Sequence, residues 1–420
     1  MYKWLTIWCV VGLLGSSVAK EVEVCPTCAT KTLKSAFSQI DSGDVIILKS
    51  GEYKEHDLEV SVPFTLKGEG TPVMDGEMEG TILTISTNNF TIDGVTFRNV
   101  GQSYTKDFAA VLVNRVDSFA VRNCTFENVF FGILVEKSHF GVIEHNYIWG
   151  SRKSESNSGN GVQLWHSSDM QINNNEVHGM RDGLYFEFVN DAIIYENLSY
   201  DNIRYGLHFM FSNNDEYHHN VFKNNGAGVA VMFSKLILMH DNRFEFNWGA
   251  ASYGLLLKEI YDAEIYNNIF EQNTTGITTE GSTRINFTNN QLIRNGWAVK
   301  VTGGCYDNMF KGNDFSHNAF DLSFNGHLNG SSFAGNYWSD YTGYDLDKNG
   351  IGDIPYRPVK LFSYIVNRTP ETIVLLRSLF VDIINFSEKV SPVFTPDNLV
   401  DDIPMMKRPV VIIGTGNFEL

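Results

Sequence analysis

Between Ala109 and Trp338 apolar and polar positions alternate in short bursts, each closed by a polar turn before the next begins. In Gly206-Leu207-His208-Phe209-Met210-Phe211 the apolar residues recur with period two, the spacing of a strand and not of a helix. Aligning the units on the small residue that opens each one gives the column Ala110, Gly132, Gly161, Gly183, Gly206, Gly228, Gly254, Gly276, Ala298 and Asp321, with steps of 22, 29, 22, 23, 22, 26, 22, 22 and 23. A second column, Cys124, Asn146, Asn175, Asn197, Asn220, Asn242, Asn268, Asn290, Asn313 and Asn336, keeps step with the first to within one residue. Such repetition predicts an all-β solenoid, a right-handed parallel β-helix in which each unit is one coil. Asn tolerates left-handed backbone and its amide can bond to the coils above and below, so the Asn column reads as scaffold.

The flanks follow from the ladder. Lys31 to Ile40 carries Leu33, Ala36, Phe37 and Ile40 on one helical face, which predicts a helix capping the open N-terminal end. Val60 to Leu66, Ile82 to Ile85 and Phe90 to Phe97 read as less regular coils. Three coils are long, and their extra residues, around Gly101 to Asp107, Ser151 to Asn160 and Trp248 to Tyr253, must bulge as loops. Beyond Trp338 the pattern stops, dividing the chain into a β-helix over 20–340 and an Asp/Gly-rich loop with a helical docking extension over 341–420. Thr369 is placed to cap a helix with Pro370 at its first position, running to about Val390. That helix is apolar nearly all round and needs cover, so Ile373, Leu376, Phe380 and Ile384 are expected to dock on a partner. Val410 to Ile413 is a further short apolar tail.

Lys3, an apolar run from Trp4 to Leu14 and Ser17-Val18-Ala19 predict a secretory signal over 1–19, which places the mature chain outside the cytoplasm. Its removal takes away Lys3 and no acid, moving the formal charge from -17 to -18, which argues against nucleic acid as a partner. Four cysteines remain. Cys25-Pro26-Thr27-Cys28 reads as a small disulfide ahead of a redox couple or a soft-metal clip, and Cys124, in the Asn column, as core.

With Leu184/Phe186 and Leu207/Phe209 inward, the intervening residues face out, about 4.8 Å apart from coil to coil. One outward column reads Glu136, Trp165, Glu187, Met210, Met232, Lys258 and Glu280, beside Gln163, Tyr185, His208 and Ala230. Thioethers next to an imidazole are a soft ligand set suited to Cu(I), so Met210, Met232 and His208, flanked by Glu187 and Trp165, form the first metal candidate. An apolar patch covered by a loop or partner explains the same residues on the residue pattern alone. His218 and His240, on neighbouring coils, are a second metal candidate, and His178 with Met180 a weaker third. Asp345, Asp347, Asn349, Ile351 and Asp353 follow the spacing of a calcium loop, but Tyr356 stands where its bidentate Glu belongs, so a calcium site and a plain turn both stay open. Many β-helices act on polysaccharides with clustered acids, and no such cluster lies on adjacent coils here, since Trp165 separates Glu136 from Glu187.

Gly335-Asn336-Tyr337-Trp338-Ser339-Asp340-Tyr341, Gly343-Tyr344-Asp345-Leu346-Asp347, Gly350-Ile351-Gly352-Asp353 and Pro355-Tyr356-Arg357-Pro358 resemble the NosD family. Leu375-Leu376-Arg377-Ser378, Phe380-Val381-Asp382 and Leu399-Val400-Asp401-Asp402 extend the resemblance. These are periplasmic β-helix proteins needed to mature the copper sites of nitrous oxide reductase. The resemblance implies a non-catalytic factor handling Cu(I) beside the membrane and ATPase subunits of an ABC transporter, a copper chaperone lipoprotein and the reductase. It makes a soft surface site expected, and it implies that the C-terminal helix meets the transporter, holding the protein peripherally at the membrane. A carbohydrate-binding or carbohydrate-active β-helix, or a metal-free structural adaptor, are the alternatives.

Overall fold

The computed structural model describes residues 19–151, 154–325, 330–390 and 399–409. The signal segment, Arg152 and Lys153 of the polar loop, and Val410 to Ile413 lie outside the described residues, apart from Ala19. The named strands pair in parallel into a 25-stranded and a 12-stranded sheet, a right-handed solenoid. A typical coil contributes Asp182–Glu187 to the smaller sheet and Ile193–Tyr195 and Leu198–Tyr200 to the larger one. The register is the one the columns require: Glu187 pairs with Met210, Met210 with Met232 and Met232 with Lys258. Leu184, Phe186, Leu207, Phe209, Val229 and Val231 point inward and are fully buried, so period-two alternation is converted directly into a core.

Two expectations change in detail. The strand opened by Tyr205 ends at Met210, and Phe211 leaves it with φ +51° at a corner. Nor does the Asn column itself take the left-handed turn. The residue before it does: Asn174, Glu196, His219, Asp241 and Asn267 have φ between +52° and +55°. The column Asn lies inside, where its amide bonds along the axis. Asn197 Nδ2 donates to Asn220 Oδ1 at 2.9 Å, and Asn220 and Asn242 repeat the bond at 3.0 Å. A second ladder that the columns missed runs through Asn202, Asn225, Asn247, Asn273 and Asn295. Buried amides are tolerated because each finds partners. Between the ladders Phe222, Phe244 and Phe270 stack at 5.5 and 4.5 Å.

Helix α1 (Leu33–Phe37) covers the N-terminal end, with Thr32 accepting from Ser35 N as its cap and Leu33 and Ala36 buried. The C-terminal end is closed by the chain's return. Asp401 takes the place of the next ladder Asn, accepting from Gly335 N, Asn336 N, Asn336 Nδ2 and Trp338 Nε1 at 3.0–3.1 Å. The expected continuous helix from Thr369 to Val390 is broken. Helix α2 (Leu361–Arg368) ends at Thr369, which makes no side-chain cap; a 3-10 turn spans Pro370–Leu375, and α3 (Leu379–Val390) restarts after Ser378, whose hydroxyl accepts from Val381 N at 3.4 Å. Ser competes for backbone donors in this way, which favours a new N-terminus over helix continuation. Phe362 and Val366 of α2 and Val381 of α3 pack with Trp297 and Phe320 on the last coils. Among the described residues no helix is long and apolar enough to cross a membrane.

Candidate functional site

The outer face of the 12-stranded sheet carries Trp165, Glu187, Met210 and Met232 in one row, all half-buried. Lys137 Nζ lies 4.9 Å from the Trp165 ring, and Glu187 accepts from Tyr185 OH at 3.3 Å. His208, two residues before Met210 on the same strand and face, is not open to solvent as its outward parity suggests. It is 7% exposed, beneath Tyr185 at 5.1 Å and Tyr205 at 4.8 Å. Tyr253, from the long loop, continues the cover 6.5 Å from Tyr205. Neither His208 nitrogen has a hydrogen-bond partner, and its nearest carboxylate, Asp182, stands 4.0 Å off. Burial pushes the imidazole pKa down to about 4, with Asp182 opposing the shift and Arg204 adding to it, so the ring is neutral with a lone pair uncommitted. Asp182, fully buried, is held by Arg204 through Nε–Oδ1 at 2.9 Å and Nη2–Oδ2 at 2.5 Å. A neutral imidazole and two thioethers on one face is a donor set for a soft monovalent cation.

The second metal candidate does not assemble. His218 and His240 stack face to face at 5.1 Å and 12°, inside a ring column from Tyr195 to Tyr266. Imidazole ligates through a lone pair in the ring plane, so parallel rings cannot aim at one ion. Both His240 nitrogens are also engaged, with Asp241 at 2.7 Å and Glu216 at 3.0 Å. His178 is satisfied by Tyr147 OH at 2.9 Å, and Met180 is buried.

The calcium-like loop uses its carboxylates on its own backbone. Asp345 accepts from Asn349 N and Gly350 N, Asp347 from Asn349 N, and Asp353 from Leu346 N. Ile351 bridges to Met405. This is the geometry of an Asp/Gly turn. Among the described residues no group of three or more His, Cys, Asp or Glu side chains is placed to hold a metal together.

Cys25 and Cys28 are joined by a disulfide. Cys124 occupies a rung of the ladder, donating its N–H to Asn146 Oδ1, and burial pushes its thiol up to about 12. Of the four residues expected to dock, Ile373 and Phe380 are exposed, Ile384 is half-buried, and Leu376 packs against the cluster beneath α2. Leu379, Ile383 and Phe386 extend the exposed apolar face of α3.

One feature of this face escaped the residue pattern. At the corner after the Met row, His166, Phe188, Phe211 and Phe233 stack at 4.5, 5.1 and 5.1 Å, each with φ between +50° and +55°. A left-handed Phe is costly, by roughly 1–2 kcal/mol, and the same column elsewhere holds Gly281 and Gly303. Beside the ridge lies a cleft of ≈ 460 Å³ lined by His139, His166, Phe188 and the polar side chains of Asn190, Asp191 and Asn213. Continuing the column lines by one residue would have exposed the ridge.

Residues 150–343 match the family model described as periplasmic copper-binding protein (NosD). Two curated relatives named probable ABC transporter binding protein NosD align over most of the chain. The one from Pseudomonas aeruginosa is 28% identical, covering 83% of this chain and 85% of its own length, and the one from Stutzerimonas stutzeri is 26% identical, covering 89% of each. The chain is thus similar to the NosD family, through the family model over residues 150–343 and through both relatives over most of its length. The region that matches the family model holds Trp165, Glu187, His208, Met210, Met232 and the aromatic ridge, but not the Asp345 loop or the C-terminal helices. Solved structures share the fold alone. The A-module of the mannuronan C-5 epimerase AlgE6 from Azotobacter vinelandii is 14% identical with a TM-score of 0.63, over 71% of this chain and 92% of that one. The catalytic unit of a GH87 alpha-1,3-glucanase from Streptomyces thermodiastaticus is 12% identical with a TM-score of 0.58, over 75% of this chain and 67% of that one.

Proposed function

We propose that this NosD-like chain is a periplasmic, non-catalytic maturation factor that accepts Cu(I) and passes it on during assembly of nitrous oxide reductase. The ABC transporter, the chaperone lipoprotein and the reductase are its partners, and ATP hydrolysis takes place outside this chain. The observation that carries the reading is the row of Met210 and Met232 beside a buried, neutral and unpartnered His208. Copper is the cargo, and His208, Met210 and Met232 are the residues that would hold it. Thioethers bind a soft cation without needing to lose a proton, so cargo can be taken and released without acid–base work. Glu187 is tied to Tyr185 and Trp165 lies under Lys137, which makes both flanking groups and not donors. The exposed apolar face of α3 supports docking on the transporter.

Equilibrium Cu(I) titration against a competing chelator tests this, comparing the native chain with Met210→Leu/Met232→Leu, which keeps side-chain volume and removes both sulfurs. Loss of binding together with loss of reductase maturation is expected. A double variant that binds Cu(I) as the native chain does, and still supports maturation, refutes the site. A native chain that binds no Cu(I) yet still supports maturation turns the reading to a metal-free adaptor. The polar cleft beside Phe188 favours a second reading, carbohydrate binding, which requires a positive result on a glycan panel that includes uronic-acid polymers.

A further inference from the structure

On the other sheet, two consecutive histidines are set at right angles. His218 lies flat in the ring column, between Tyr195 and His240 at 5.1 Å each, and is half-buried there. His219 is the left-handed corner residue that follows, with φ +55°. The corner swings its ring to 89° from that of His218, so that the two Nδ1 atoms face each other at 2.9 Å. His240 cannot compete for the space between them, because Asp241 and Glu216 occupy its nitrogens.

Two imidazole nitrogens at this separation can share one proton or one cation. With metal–imidazole bonds of about 2.0 Å, the 2.9 Å separation corresponds to a nitrogen–metal–nitrogen angle of about 93°. That is close to the cis angle of a tetragonal site. A tetrahedral ion with the same bond length would need about 3.3 Å between the nitrogens. Square-planar or tetragonal nitrogen sites suit Cu(II) or Ni(II), and the divalent affinity order favours Cu(II). The surroundings are acidic: Glu196 and Asp241 stand one coil to either side of His219 in the corner column, and Glu216 lies two residues before His218.

We propose that His218 and His219 form a cis bis-imidazole site for a divalent cation of tetragonal preference, Cu(II) foremost, through their two Nδ1 atoms. The site lies in the 25-stranded sheet and its corner, whereas Met210 and Met232 lie in the 12-stranded one. It does not rest on the Cu(I) reading. Two protein nitrogens leave the remaining positions to water or to a donor brought by a partner.

The experiment is titration of the signal-free chain with Cu(II) alone in a non-coordinating buffer, read by electron paramagnetic resonance. One tetragonal signal split by two nitrogens is expected. His219→Asn should reduce that splitting to one nitrogen or abolish the signal, and the variant is safe for the fold because Asn174 and Asn267 already occupy this corner in other coils. His218→Gln should do the same, whereas Met210→Leu/Met232→Leu should leave the signal unchanged, so this proposal and the Cu(I) reading can fail separately. A two-nitrogen signal that survives His219→Asn, or a native chain that takes up no more Cu(II) than that variant, overturns the proposal, the 2.9 Å contact then being a shared proton only.

Discussion

Replacing Asp401 with Ala tests how the solenoid is closed. The Asp401 carboxylate is fully buried and accepts from two backbone amides, one side-chain amide and one indole N–H at 3.0–3.1 Å, with a further, intraloop bond from Ile403 N at 3.2 Å. Ala would leave four donors of the last coil without an acceptor. Each stranded buried donor costs about 1–3 kcal/mol, and water entering the vacated space would satisfy about half of them, so the net loss is roughly 3–5 kcal/mol. In a solenoid each coil interacts with its neighbours, so the loss should fall on the final coils and not on the whole chain. Hydrogen exchange is therefore the assay: protection at Gly335, Asn336 and Trp338 should fall by roughly two to three orders of magnitude, each about 1.4 kcal/mol, while the rungs at Asn197 and Asn220 keep theirs. Asp401→Asn, which retains one oxygen but turns an N–H toward donors, should fall between. Unchanged protection at Asn336 in Asp401→Ala would refute the reasoning.

The other predictions address the outer face and the extension. His208 has a folded pKa of about 4 against a model-peptide value near 6.5. The unfolded state therefore binds the extra proton between those values, and stability, intact above about pH 6.5, should fall as the pH drops through 4, by at most about 3 kcal/mol. His208→Phe should flatten that dependence in acid-denaturation curves; an unchanged slope would mean that the imidazole is not buried neutral. Phe211→Asn should be nearly neutral in thermal unfolding, because relief of about 1–2 kcal/mol of left-handed strain offsets a lost ring stack. Phe244→Ala, inside the buried stack, should cost about 3–5 kcal/mol, and equal effects would contradict the division into ridge and core. Phe380→Glu with Ile383→Glu should leave the melting temperature in place and abolish co-purification with the transporter; retained co-purification would remove α3 from the interface.

The sequence by itself determined the coil, its register and its core, because each is encoded locally. Alternation chooses the strand, the 22- or 23-residue step chooses the neighbour, and the ladder Asn repeats at every rung. It also placed Met210, Met232 and His208 on one face, since parity along paired strands leaves no freedom. What only the tertiary structure decided is what covers that face and where lone pairs point. His208 lies beneath Tyr185 and Tyr205, and a loop that begins 40 residues later brings Tyr253 against Tyr205; no periodicity reports where an inserted loop folds. His218 and His240 are neighbours by column arithmetic, yet ring orientation sets them face to face, while the corner at His219 turns a different pair of nitrogens together. The closing rung at Asp401 likewise depends on contacts with Gly335, Asn336 and Trp338, tens of residues earlier in the chain. Periodicity fixes which residues are adjacent; orientation, burial and hydrogen-bond competition decide which of them can act together.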